Sequence, residues 1–217
     1  MLQTIEIAPS EQVNASIIWL HGLGADAYDF VPIAEDLALT ETRFIFPHAP
    51  YRKITAFNGY ETRGWYDIFG LDTDSPQDVD GIVAMQAEIN HLIALENQRG
   101  IPNHRILLAG FSQGGAMALH AALRYSQSLA SILALSTYLP LRSQLHAQIH
   151  IANREIPIFL AHGTHDNVIQ LETAKLAFDT LKLENFNVVW HEYEMAHSVC
   201  QQQILDIKKF LIHLKIN

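Results

Sequence analysis

The sequence predicts an α/β fold, a mostly parallel central sheet with helices on both faces, and three observations carry that prediction. Short runs rich in β-branched residues alternate with longer segments of helical period. The short runs are nearly all apolar, as strands covered on both faces must be. The longest helical segment sets Ile82, Met85, Ile89, Leu92 and Leu95 at spacings of three and four, which draws one buried stripe.

Taken in order, an alternating opening over 3–7 turns at "APSEQ" into the buried run "SIIWL" at 16–20. The first two strands are therefore expected to pair antiparallel. Further strands are read at 43–47, 105–110, 131–136, 156–163 and 188–193. Helices are read at 30–39, 78–98, 114–124, 171–183 and 199–214. Ser75 and Pro76, ahead of the second helix, read as its N-cap and first helical position. The stretch 51–76 is aromatic-rich and too long for an idle connection. It is expected to form a mobile flap, with Trp65 and Tyr66 as its anchors.

Composition narrows the function. The chain has 217 residues, enough for one good core, and a single domain over 1–217 is expected. Fourteen Lys plus Arg against 23 Asp plus Glu leave a net charge of −9, with no basic cluster alternating with aromatics. That balance argues against nucleic acid as a partner. The N-terminus lacks a basic and an apolar region, and no run is long enough to span a bilayer, so a cytoplasmic location with at most peripheral membrane contact is expected. The single cysteine, Cys200, forms no intrachain disulfide and no Cys-rich metal site.

The chemistry is concentrated at Gly110-Phe111-Ser112-Gln113-Gly114, a G-x-S-x-G placed after a strand and before a helix. That context makes it a nucleophile elbow, in which flanking glycines let strand and helix approach and the serine sits in a strained turn. A glycine-rich turn without chemistry is the alternative. A serine hydroxyl needs a base, and the base needs an orienting group. "AHGTHDNVI" leaves Asp166 on the loop after one strand, and "EMAHSVC" leaves His197 on the loop after the last, which is the acid-then-histidine order this elbow uses. His162 and His191 fall inside strands and read as structural, His165 shares the acid's own loop, and Glu172 is the runner-up acid. The anionic intermediate needs preorganised donors. "LHGLGAD" after "SIIWL" brings glycine-flanked backbone near, so the N–H groups of Leu23 and Gln113 are the candidate pair. Once the histidine carries the reaction as base, kcat/KM is expected to rise with pH.

Other clusters are weaker. His162, His165 and Asp166 suit a strand-to-loop turn better than a metal site, and the acidic run 72–80 lacks the closing glutamate of a calcium loop. No metal is expected. Leu23, Phe69, Leu71, Leu139 and Leu141 are candidates for an apolar acyl groove at the edge where the strands end.

Four segments, "LHGLGAD", "RGWYDIFG", "GFSQGGAMAL" with "ALSTYLP", and "HGTHDNVI" followed by "AHSVC", together resemble the phospholipase/carboxylesterase family of α/β-hydrolases. The resemblance covers nearly the whole chain. It implies an α/β-hydrolase fold without a large cap domain, no cofactor, Ser112, Asp166 and His197 as triad, and Leu23 and Gln113 as oxyanion donors. It also implies carboxylesterase or thioesterase chemistry on small or lipid-like esters and thioesters, with lysophospholipase or acyl-protein thioesterase activity and S-acylated proteins among the partners. A homodimer stays open. One departure stands out: Ala196 precedes the histidine where the family commonly has glycine, and a positive φ there would strain it. A noncatalytic ligand-binding protein on this fold, or a peptidase or lactone hydrolase, remains the alternative function.

Overall fold

A computed structural model describes residues 1–9, 12–70 and 75–216. The strands are β1 Thr4–Ile7, β2 Ala15–Leu20, β3 Thr42–Pro47, β4 Tyr51–Ile54, β5 Tyr60–Arg63, β6 Ile106–Phe111, β7 Ser131–Leu135, β8 Ile158–Gly163 and β9 Val188–Tyr193. The helices are α1 Val31–Leu37, α2 Val79–Gln98, α3 Gln113–Arg124, α4 Leu145–Gln148, α5 Leu171–Leu183 and α6 Gln201–His213. Seven strands form one sheet in the order β1-β3-β2-β6-β7-β8-β9. All neighbours are parallel except β1, which runs antiparallel to β3.

The expected antiparallel pairing of the first two strands is therefore corrected: β1 pairs with β3, and β2 lies inside the sheet between β3 and β6. Burial explains the difference. All six residues of β2 are buried, so it needs a neighbour on each side, whereas β1 is only half-buried and fits an edge.

Alternate residues of the strands feed two cores. Ile18, Leu20, Leu108, Ala134 and Leu160 pack with α2, α3 and α5, while Ile17, Trp19, Leu107, Leu133 and Phe159 pack with α1 and α6. The predicted stripe of α2 is confirmed, with Ile82, Met85, Ile89 and Leu92 buried. Each such side chain contributes about 1.5–3 kcal/mol by leaving water. The start of α2 differs from expectation. Asp78, not Ser75, is the N-cap, because its carboxylate accepts from Gly81 N at 2.9 Å. Gln77 is held in an isolated bridge to Ile68, so the chain is still extended there.

The stretch 51–76 is not irregular throughout. It contains the antiparallel hairpin β4–β5, with Tyr51 opposite Arg63 and Ile54 opposite Tyr60. Asp67 accepts from Thr55 N and Thr55 Oγ1 at 2.8 and 2.6 Å, and Trp65 and Tyr66 are fully buried. Its Trp65 N and Tyr66 O are tied to the side chain of Gln113 at the start of α3, while 71–74 lie outside the described residues. Among the described residues, no helix is long and apolar enough to cross a membrane.

The parallel strands all end on one edge. His21 and Gly22 follow β2, Ser112 follows β6, Asp166 lies three residues beyond β8 and His197 four beyond β9. That edge is where ligands of open α/β sheets gather.

Candidate active site

Ser112 is the single residue between β6 and α3, with φ 54° and ψ −123°. A non-glycine residue held at positive φ costs on the order of 1–3 kcal/mol, so its surroundings must impose it. They do. Ser112 N donates to Leu135 O at 2.9 Å, and its carbonyl accepts from Thr137 Oγ1 at 2.7 Å and from Ala116 N at 3.1 Å. Gly114 explains why the motif needs its last glycine. A Cβ there would lie 2.2 Å from Leu20 O, so only glycine lets the start of α3 sit against the end of β2.

The acid and the base meet on the neighbouring loops. Asp166 is buried, and its Oδ1 accepts from Val168 N and Ile169 N, both at 2.9 Å. Its Oδ2 faces His197 Nδ1 at 2.6 Å. Because a carboxylate only accepts, the His197 proton sits on Nδ1 and Nε2 keeps its lone pair. The His197 ring packs on Phe111, centroids 4.6 Å apart, so the residue before Ser112 sets the ring's plane beside the elbow. Gly163 lets the two loops close on each other: a Cβ there would lie 2.3 Å from Met195 O. His165 N donates to that same oxygen at 3.1 Å, and Thr164 N to Tyr193 O at 2.8 Å.

The concern over Ala196 is settled against strain, since it is not among the positive-φ residues of the described chain. The close approach that demands glycine falls on Gly163 instead. Of the rival histidines, His165 is exposed and His191 stacks on Phe159 at 4.7 Å. His162 is fully buried; its Nε2 is 2.8 Å from Ile169 O and 3.4 Å from Asp166 Oδ2, so it braces the acid's loop. Burial holds its imidazole below the ordinary range. Glu172 is exposed in the first turn of α5.

On the other side of Ser112 lies the loop after β2. A Cβ on Gly22 would come 3.4 Å from Ser112 Cβ, so this loop touches the elbow, and Leu23 follows half-buried. Gln113 opens α3, and its side chain does something the motif did not announce. Its Oε1 accepts from Trp65 N at 2.9 Å and its Nε2 donates to Tyr66 O at 2.8 Å. Trp65 Nε1 in turn donates to His21 O at 2.7 Å, and Gly24 N to Arg63 O at 2.8 Å. The elbow, the loop after β2 and the exit of the hairpin are thus one hydrogen-bonded unit. Sequence reasoning missed Gln113's amide and His21; the only signal for either was a polar residue at a position that proves buried.

Of the apolar candidates, Leu139 and Leu141 are buried against the core that holds Trp65 and Tyr66, and Phe69 is exposed. Leu71 lies outside the described residues. Tyr66 and Tyr138 share a hydrogen bond between their hydroxyls, and burial pushes both phenols up, Tyr138 to about 12. Among the described residues, no three His, Cys, Asp or Glu side chains converge as a metal site.

The strand order, the strained Ser112 between strand and helix, and the Asp166–His197 pair on the same edge define an α/β-hydrolase. The sequence pattern described as Phospholipase/Carboxylesterase matches residues 3–215, and the chain belongs to that family. It is 39% identical over 210 residues to acyl-protein thioesterase 1 of Neurospora crassa, covering 91% of this chain and 86% of the relative. It is 36% identical over 206 residues to acyl-protein thioesterase 1 of Yarrowia lipolytica, covering 91% of each. Among solved structures, Zea mays acyl-protein thioesterase 2 superposes with a TM-score of 0.89 at 27% identity, covering 99% of both chains.

Proposed function

We propose that the protein is a serine hydrolase that cleaves acyl thioesters and esters through an acyl-enzyme on Ser112, with S-acylated protein as the substrate class its relatives' names suggest. The observation that carries this reading is the 2.6 Å Asp166–His197 contact on the edge where the strained Ser112 sits. In it, His197 Nε2 takes the Ser112 Oγ proton as Oγ attacks the acyl carbon. The carbonyl oxygen becomes an oxyanion held by the N–H groups of Leu23 and Gln113, each worth about 3–4 kcal/mol in the transition state. The C–S or C–O bond then breaks, and the leaving thiolate or alkoxide takes the proton from His197. Water, deprotonated by the same nitrogen, attacks the acyl-enzyme; the C–Oγ bond breaks, His197 returns the proton to Ser112 Oγ, and the carboxylic acid leaves. Asp166 Oδ2 accepts the His197 Nδ1–H throughout, in the neutral ring and in the imidazolium. The acyl chain would run along Leu23 and Phe69 over a floor of Leu139 and Leu141, and the chain would work as one domain with no cofactor.

A panel of S-acyl peptides beside oxyester peptides of the same sequence, across several acyl lengths, tests the reading. Faster cleavage of the thioesters with a dependence on acyl length supports it. Turnover of neither class overturns it.

A further inference from the structure

His21 has no part in the chemistry above, yet its imidazole is fixed from three sides. It is 1% exposed. Ala49 N donates to its Nε2 at 3.0 Å, so the proton of the neutral ring sits on Nδ1, which faces the carbonyl of Gly22 at 2.7 Å. The ring lies against Trp65, centroids 5.1 Å apart.

The Gly22 carbonyl and the Leu23 N–H belong to one planar trans peptide unit, so they point in opposite directions. A bond that fixes the carbonyl therefore fixes the N–H. The peptide in question lies beside the nucleophile, since a Cβ on Gly22 would sit 3.4 Å from Ser112 Cβ. We propose that His21 is a positioning residue of the oxyanion site, whose Nδ1–H holds the Gly22 carbonyl away and so aims the Leu23 N–H at the oxygen of an acyl group on Ser112. This rests on the reading of Ser112 as nucleophile.

The arrangement works only with a neutral ring, because a proton on Nε2 would face the Ala49 N–H. Burial supplies that condition by pushing the imidazole down to about 4, against the raising effect of the Gly22 carbonyl and Asp26; His48 and Arg63 push the same way as burial. A histidine that merely fills core space would stabilise the fold and leave the turnover of folded enzyme unchanged. A positioning histidine would act on the transition state, so its loss should appear in kcat and leave KM in place.

The test compares His21→Leu, which keeps bulk against Trp65 but donates nothing, with His21→Asn, whose Nδ2 can take the place of Nδ1. The expected result is a loss of about 100- to 1,000-fold in kcat for His21→Leu with KM nearly constant, and partial recovery in His21→Asn. Affinity for a trifluoromethyl ketone, which forms a tetrahedral adduct on serine, should fall by the same factor as kcat/KM. Unchanged kcat and unchanged ketone affinity in folded His21→Leu overturn the proposal. If His21→Leu does not fold, nitrogen-15 NMR of the unaltered enzyme decides: the Nδ1–H tautomer supports the proposal and the Nε2–H tautomer overturns it. Ser112→Ala run alongside separates the two readings, since an active Ser112→Ala would remove the nucleophile assignment itself.

Discussion

Asp166→Asn replaces one carboxylate oxygen with an NH2, and the structure constrains which way the new amide must face. Asp166 Oδ1 accepts two backbone N–H groups, Val168 and Ile169, both at 2.9 Å. An amide nitrogen at that position would meet two donors, each left unsatisfied at about 1–3 kcal/mol. The asparagine oxygen must therefore take the Oδ1 place, and its NH2 must take the place of Oδ2, 2.6 Å from His197 Nδ1. His197 can meet an NH2 there only by giving up its Nδ1 proton, and the proton then moves to Nε2. With Nε2 protonated, His197 could not accept the Ser112 proton as the proposed mechanism requires. His162 reinforces the outcome, since its Nε2–H is directed at Ile169 O and offers the NH2 no acceptor. The expected cost is about 10^4-fold in kcat/KM, the scale of a wrong-tautomer triad, or about 5.5 kcal/mol of transition-state stabilisation. The fold should lose far less, because both backbone bonds keep an acceptor. Steady-state kinetics on an aryl ester, with a thermal melt as control, would measure both. An Asp166→Asn enzyme within tenfold of the unaltered one would refute the reasoning.

Gln113→Ala keeps the backbone donor but strips partners from Trp65 N and Tyr66 O, both buried, and should lower stability by about 2–4 kcal/mol in a urea titration. Gly163→Ala places a methyl 2.3 Å from Met195 O, so the His197 loop must move; kcat should fall at least tenfold while stoichiometric labelling of Ser112 persists, and unchanged kcat would contradict the packing. Acid should destabilise the fold through its buried imidazoles. Burial lowers His21 from 6.5 to about 4 and His120 to about 3, so between those values the unfolded chain binds more protons than the folded one. Their neutral forms cost no stability above pH 6.5, and stability is lost as pH falls from there, by roughly 3 kcal/mol for His21 alone by about pH 4. Urea midpoints that stay constant across that window would contradict this.

Much of the fold is legible because the sheet is buried on both faces. Runs such as "SIIWL" and "ILLAG" have no other use, and the helices between them carry plain apolar stripes. Pairing partners are not written locally, so a sheet edge for β1 against β3 rather than β2 could not be read from the turn between them. The hairpin β4–β5 escaped notice because "YRKI" and "YETR" pack little apolar surface and alternate weakly. The gathering of Ser112, Asp166 and His197 on one edge is legible since each stands just beyond an apolar run. The tasks of His21, His162 and the Gln113 side chain are not, because they depend on which backbone groups the fold leaves facing them. The misgiving about Ala196 failed for a related reason: the tight approach exists, but the glycine that meets it is Gly163, more than thirty residues earlier in the chain.

The central claim is that Ser112 is the nucleophile. Intact-mass spectrometry after exposure to a fluorophosphonate, followed by peptide mapping, addresses it directly. One adduct per chain, on Ser112, absent from Ser112→Ala and matched by loss of esterase activity, is the predicted result. Stoichiometric labelling of Ser112→Ala, or full activity in the labelled protein, would contradict it.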